Sequence, residues 1–215
     1  MHTSVKNLTY IENKIKKVTN NFPTIIAVSK NFGEENIIPL LSFGHKHFGE
    51  NKVQECAKKW NELKYKYENI KLHMIGKLQT NKVKECMKHF DFIHSLDSKK
   101  LAKKIYEEEI KQNKKIKIFI QVNIGQENQK SGTNILELEE LLLYCYSLKL
   151  DIIGLMCIPP NEKNTKKYFS QMTQLKNQFN LENLSMGMSS DYLDAIECSS
   201  NFIRIGTLIF GERKY

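Results

Sequence analysis

A primary amine stands at the end of the first strand-like run of this 215-residue chain, Thr24-Ile25-Ile26-Ala27-Val28-Ser29-Lys30. An amine at a strand exit can condense with an aldehyde to form an imine, provided its surroundings lower its pKa. Two small-residue segments near the other end of the chain have a different chemistry. Ser185, Gly187 and Ser189 lie directly before a predicted helix start, and Gly206-Thr207 follow the last strand-like run. Small residues permit close backbone approach, and N–H groups at such a turn hold an anion, a phosphate above all. The alternative is local: Ser189 caps a helix and Gly206 makes a turn. Arg204 interrupts the apolar Phe202-Ile203-Arg204-Ile205, so its guanidinium needs an acceptor at or inside a core. One acceptor is Glu50, which equally suits a lysine. His73, opening an apolar run, reads as a core histidine, and the other histidines show no relation to one another.

These residues are ordered by the elements between them. Short apolar, β-branched runs fall at 24–29, 45–49, 71–76, 91–95, 116–123, 151–156, 183–187 and 202–206. Helical spacing with end signals predicts helices at about 34–42, 51–68, 79–89, 97–113, 134–148, 162–179 and 189–198, with Asp97 as an N-cap, and one more at 3–19. Eight strands with helical crossovers are the count of a (β/α)8 TIM barrel; a doubly wound open sheet competes. Too few residues follow the last strand for a full helix, so the N-terminal helix is expected to pack beside it. Barrels build their sites at the C-terminal strand ends and hold phosphate after strands seven and eight. That rule gathers Lys30, Ser185, Ser189, Gly206 and Thr207 at one mouth.

Composition narrows the class. Hydrophobic residues are 40% and charged residues 27%, as in ordinary globular proteins. One domain over 1–215 is expected, with no linker-like tract. No run approaches the about 18 apolar residues of a membrane span, and the N-terminus lacks an export signal's apolar core. The five cysteines are scattered without Cys-x-x-Cys spacing, which points to neither zinc nor disulfides and fits a reducing cytoplasm. The net charge of +9 raises nucleic acid as a partner. Lysine pairs spread over several predicted helices carry it, and Lys64-Tyr65-Lys66-Tyr67 is the one aromatic–basic cluster. A solvated helix surface accounts for both, so no nucleic-acid partner is expected.

An imine-forming lysine, a phosphate cup and a strand-end arginine together suggest pyridoxal 5′-phosphate. The chain resembles the YggS/PROSC family of pyridoxal phosphate homeostasis proteins over essentially its whole length. The matching motifs are Ala27-Val28-Ser29-Lys30, Phe48-Gly49-Glu50-Asn51, His73-Met74-Ile75-Gly76-x-Leu78-Gln79-x-Asn81-Lys82, Lys130-Ser131-Gly132, Leu184-Ser185-Met186-Gly187-Met188-Ser189 and Arg204-Ile205-Gly206-Thr207-x-Ile209-Phe210-Gly211. Their order and spacing together are specific. The resemblance implies a barrel like the N-terminal domain of alanine racemase, with the cofactor bound as an imine on Lys30. It places Ser185, Ser189, Gly206 and Thr207 in the phosphate loops, Arg204 at the pyridine nitrogen and Asn51 near the cofactor. Two departures stand out. Gly33 replaces a frequent proline, and Ser199 replaces a helix-ending glycine, which predicts a mildly strained left-handed serine.

The resemblance leaves enzyme and cofactor holder to be separated. An always-charged Arg204 donates to an unprotonated ring nitrogen, a weak electron sink that alanine racemases tolerate. Those enzymes also draw a second base from a C-terminal β-domain, expected to be absent from a chain that ends at Tyr215. Where they carry a ring-stacking histidine, this chain has Ile158. The expectation is a monomeric holder of pyridoxal phosphate that supplies apo-enzymes. The alternative is a pyridoxal phosphate-dependent amino-acid racemase or lyase.

Overall fold

Eight parallel strands close on themselves in chain order in a computed structural model that describes residues 1–127 and 129–212. Arg213, Lys214 and Tyr215, the end of the expected 1–215 domain, lie outside the described residues, as does Asn128. The strands are β1 (Thr24–Val28), β2 (His47–Glu50), β3 (Lys71–Met74), β4 (Phe92–Leu96), β5 (Lys117–Val122), β6 (Asp151–Cys157), β7 (Asn183–Ser185) and β8 (Phe202–Ile205). The β1–β8 pairing closes the ring and sets Ile26 beside Arg204. This is the (β/α)8 barrel expected, not the open sheet. Several strands end earlier at the mouth than their apolar runs do: Ile75, Gly76, Met186 and Gly187 lie past the strand ends, although Ile75 N still donates to Glu50 O, Met186 N to Phe202 O and Arg204 N to Gly187 O. Apolar composition continues past the strand ends because the loops there still cover the core.

The helices between strands are α2 (Glu34–Ser42), α3 (Val53–Lys66), α4 (Val83–His89), α5 (Lys99–Gln112), α6 (Leu138–Ser147), α7 (Lys166–Gln178) and α8 (Tyr192–Glu197), flanked by α1 (Thr3–Lys16) and α9 (Thr207–Phe210). Asp97 does not cap α5. The last extended residue before that helix is Ser98, whose hydroxyl accepts from Leu101 N. α9 is one turn long, and α1 packs against it and α2. Asn7 Nδ2 donates to Ile209 O at 3.0 Å across that contact. α1 buries Val5, Leu8, Ile11 and Ile15 along one stripe. Each such side chain contributes about 1.5–3 kcal/mol on burial.

Alternation along the strands divides two cores. One lies between sheet and helices and takes Ala27, Phe48, Leu72, Ile93, Leu184 and Ile203. The other fills the barrel with Phe92, Phe119 and Met156, against which Ile153 and Phe202 pack. His73 stacks on Phe92 and His94 on Phe119. Polar groups therefore penetrate the barrel's own interior, which matters for the site above it.

Candidate functional site

A cavity of about 340 Å³ opens at the C-terminal mouth, lined by Val28, Lys30, Ile75, Ile158, Met188, Ser189, Ser190, Arg204, Gly206 and Thr207. Lys30 enters it two residues beyond β1, and the residue before it is held from two sides. Ser29 N donates to Gly49 O at 3.0 Å and Ser29 Oγ to Glu50 Oε1 at 2.7 Å. Lys59 Nζ donates to Ser29 O at 2.8 Å and to Glu50 Oε1 at 3.0 Å, and Trp60 Nε1 also reaches Glu50 Oε1. A buried carboxylate, an ammonium and an indole on α3 thus fix the strand end from which Lys30 projects.

The loops after β7 and β8 meet across the cavity, where Leu208 N donates to Ser189 Oγ at 3.4 Å. Gly187 turns the first loop with φ +93°, and a Cβ there would come within 2.6 Å of Ala195 Cβ, so only glycine fits. Asp191 caps the same loop through Met188 N at 2.6 Å, and burial raises its carboxyl pKa. Ser189, Ser190, Gly206 and Thr207 line one side of the cavity, residue types whose hydroxyls and backbone N–H groups suit an anion.

Arg204 forms the buried part of the wall, 4% exposed. Its Nη1 donates to Ser185 O and Oγ at 2.7 and 2.8 Å, and its Nη2 to Cys157 O at 2.8 Å. Its contacts are carbonyls and a hydroxyl, not a carboxylate, and burial lowers its pKa from the ordinary range while Cys157 and Asp191 oppose that. An Arg204–Glu50 pair is ruled out by strand alternation. Arg204 points into the barrel, whereas Glu50 points out to α3 and takes Lys59, the other partner type considered from the sequence. Ser185 is fully buried behind Arg204 rather than on the cavity surface. Asn51 follows β2 half-buried, its backbone against Gly76, where a Cβ would lie 2.3 Å from Asn51 O. It is not among the described cavity-lining residues.

The histidines do relate to one another, contrary to expectation. His47 Nδ1 lies 3.0 Å from His73 Nε2, His73 Nδ1 lies 2.9 Å from His94 Nε2, and His94 Nδ1 lies 2.8 Å from Ser185 Oγ. They occupy inward positions on three consecutive strands, a signal that reading strand parity would have exposed. Burial, first, and nearby positive groups, second, hold His73 and His94 well below the usual 6.5. Lys59 and Trp60 were also missed, because helix-to-strand contacts leave no local pattern.

The donor set fits one type of molecule: an aldehyde for Lys30, an anion for the Ser189–Thr207 wall and a ring acceptor for Arg204. Fold and cavity together place the protein among (β/α)8 barrels with a lysine in a cavity at the mouth. Residues 6–214 match the family described as "Alanine racemase, N-terminal domain", and the chain belongs to that family, within its pyridoxal phosphate homeostasis branch. It is 40% identical over 205 residues to the pyridoxal phosphate homeostasis protein of Aquifex aeolicus, covering 91% of this chain and 89% of that one. The protein of that name from Escherichia coli K12 is 35% identical over 202 residues, with 89% and 86% covered. PipY of Synechococcus elongatus, solved with PLP bound, superposes with a TM-score of 0.86 at 32% identity, over 97% of this chain and all of that one. Alanine racemase of Clostridium difficile shares the fold, with a TM-score of 0.74 at 16% identity over 57% of its length.

Proposed function

We propose that the chain binds pyridoxal 5′-phosphate in the mouth cavity, attaches it at Lys30 Nζ, and limits its free concentration while supplying apo-enzymes. Pyridoxal phosphate binding and homeostasis follow from the family, and Lys30, Asn51, Ser185, Ser189, Arg204, Gly206 and Thr207 are the residues proposed to serve it. The observation that carries the residue assignment is that Lys30, Arg204, Ser189, Gly206 and Thr207 border the same cavity. When bound, the cofactor supplies an electron-withdrawing ring next to its aldehyde carbon. Arg204 donates to the ring nitrogen and leaves it unprotonated. Ser189, Gly206 and Thr207 hold the phosphate, and the Glu50–Lys59 pair keeps the Lys30 strand end in place.

Among the described lining residues, Lys30 and Arg204 are the ionisable ones, and Val28, Ile75, Ile158 and Met188 make the apolar surface. The protein is proposed to act as a monomer in the cytoplasm. No helix of the described residues is long and apolar enough to cross a membrane. The five cysteines are buried free thiols, with Cys145 and Cys157 pushed up to about 12 by burial.

The test is borohydride reduction of the purified yellow protein followed by mass mapping of the trapped lysine. A label on Lys30, absent in Lys30→Ala, is expected. A label on another lysine overturns the attachment site, and steady Lys30-dependent racemisation of alanine overturns the holder reading.

A further inference from the structure

Arg204 is buried and, among the described residues, donates to no carboxylate, yet a continuous hydrogen-bonded path leads away from it through the barrel. The path runs from Arg204 Nη1 to Ser185 Oγ, then through His94 and His73 to His47, with each contact between 2.8 and 3.0 Å. Its far end lies at the opposite pole, where His47 borders a separate cavity of about 280 Å³ with His45 and Lys46. His73 and His94 are fully buried.

Proton counting gives this path a direction. A guanidinium only donates, and Arg204 Nη1 and His94 Nδ1 are the partners of Ser185 Oγ among the described residues, so His94 Nδ1 is the acceptor open to the hydroxyl proton; the fully reversed order would leave that buried O–H without one. A neutral His94 then carries its proton on Nε2 and donates to His73 Nδ1. His73 donates from Nε2 to His47 Nδ1, and His47 turns its Nε2–H outward. Each link uses one proton, and reversing any ring would set two N–H groups face to face or leave two bare nitrogens opposed. The low pKa of His73 and His94, imposed by burial, agrees with neutral rings throughout.

We propose that His94, backed by His73 and His47, is a positioning residue that fixes the aim of Arg204 at the cofactor through an ordered, neutral hydrogen-bond chain spanning the barrel. The proposal rests on the reading that Arg204 meets the cofactor ring. Aromatic stacking holds the chain in place, with His73 on Phe92 at 4.2 Å and His94 on Phe119 at 4.4 Å between centroids. The stacked neighbours hold both rings in the planes that the chain requires.

The test has a cofactor-free arm and a cofactor arm. In ¹⁵N-histidine-labelled apo-protein above the ordinary histidine range, two-bond ¹H–¹⁵N spectra are expected to show Nε2–H tautomers for His47, His73 and His94. A proton on Nδ1 of His94 overturns the chain, whether or not the cofactor binds. In the second arm, His94→Phe keeps the stacking but removes both hydrogen bonds. It is expected to weaken pyridoxal phosphate binding about tenfold and shift the bound absorbance maximum. His94→Asn retains an acceptor for Ser185 and is expected to recover part of both effects. A folded His94→Phe with wild-type affinity and spectrum overturns the positioning role. Wild-type protein that binds no pyridoxal phosphate overturns the functional reading instead, while the tautomer result stands.

Discussion

Arg204 and Ser185 share two hydrogen bonds, from Nη1 to the Ser185 carbonyl and to its hydroxyl. One serine on β7 thereby binds the guanidinium of its neighbour strand with main chain and side chain together. Ser185→Ala keeps the carbonyl contact and removes the hydroxyl from between a buried cation and a buried imidazole. Leaving such groups unsatisfied costs about 1–3 kcal/mol. Urea denaturation should show that loss of stability; an unchanged midpoint would mean that the hydroxyl contributes nothing net.

The buried histidines also set a pH dependence. Burial lowers His45 from 6.5 to about 4 and holds His73 and His94 well below 6.5. Between the folded and unfolded values the unfolded chain binds more protons, so stability rises with pH there. It is complete above about 6.5 and falls on acidification toward about 4. Each histidine contributes a slope of about 1.4 kcal/mol per pH unit. Asp191, raised by burial, acts in the opposite direction, but only in the carboxylate range. Urea midpoints across this window should fall steeply for wild type and less steeply for His73→Phe; equal slopes would remove His73 from the account.

The Glu50–Lys59 pair makes a prediction about the Lys30 strand end. Glu50 is fully buried, and Oε1 takes contacts from Ser29, Lys59 and Trp60, while Oε2 is buried with no hydrogen-bond partner among the described residues. Lys59→Met removes the cation and leaves the carboxylate uncompensated, which costs about 3–5 kcal/mol when one partner of a buried pair is lost. Lower stability in urea and slower borohydride trapping at Lys30 are expected. Lys59→Met with both properties unchanged would show that the strand end needs no such clamp.

The barrel was legible because β-branched runs and helical stretches alternate eight times, and the mouth rule then brought Lys30, Ser189 and Thr207 together across nearly the whole sequence. Local chemistry was legible too. Ser199, expected in a left-handed turn, adopts φ +64° just after α8. Ser199→Gly should relieve that conformation and stabilise the protein by about 1 kcal/mol, read from the urea midpoint. What stayed hidden depends on register and strand parity. Whether Glu50 meets Arg204 or Lys59 is decided by which sheet face it occupies, and the His47–His73–His94 path needs three inward positions aligned across strands. Neither leaves a mark in local spacing.

The last prediction separates the two ends of the proposed ligand. Ser189 and Thr207 stand on the anion wall, while Lys30 and Arg204 serve the aldehyde and ring. Ser189→Ala combined with Thr207→Val removes two hydroxyl donors from the phosphate, together with the long Leu208 N–Ser189 Oγ contact, and leaves Lys30 and Arg204 unchanged. Hydrogen bonds to charged groups contribute about 1.5–3 kcal/mol each, so pyridoxal phosphate should bind at least about tenfold more weakly. Unphosphorylated pyridoxal never uses that wall, and its affinity should not change. Direct titration of both compounds against wild type and the double variant gives the comparison. Equal weakening of pyridoxal and its phosphate would place the phosphate elsewhere, because only a phosphate-specific loss assigns these hydroxyls to the anion.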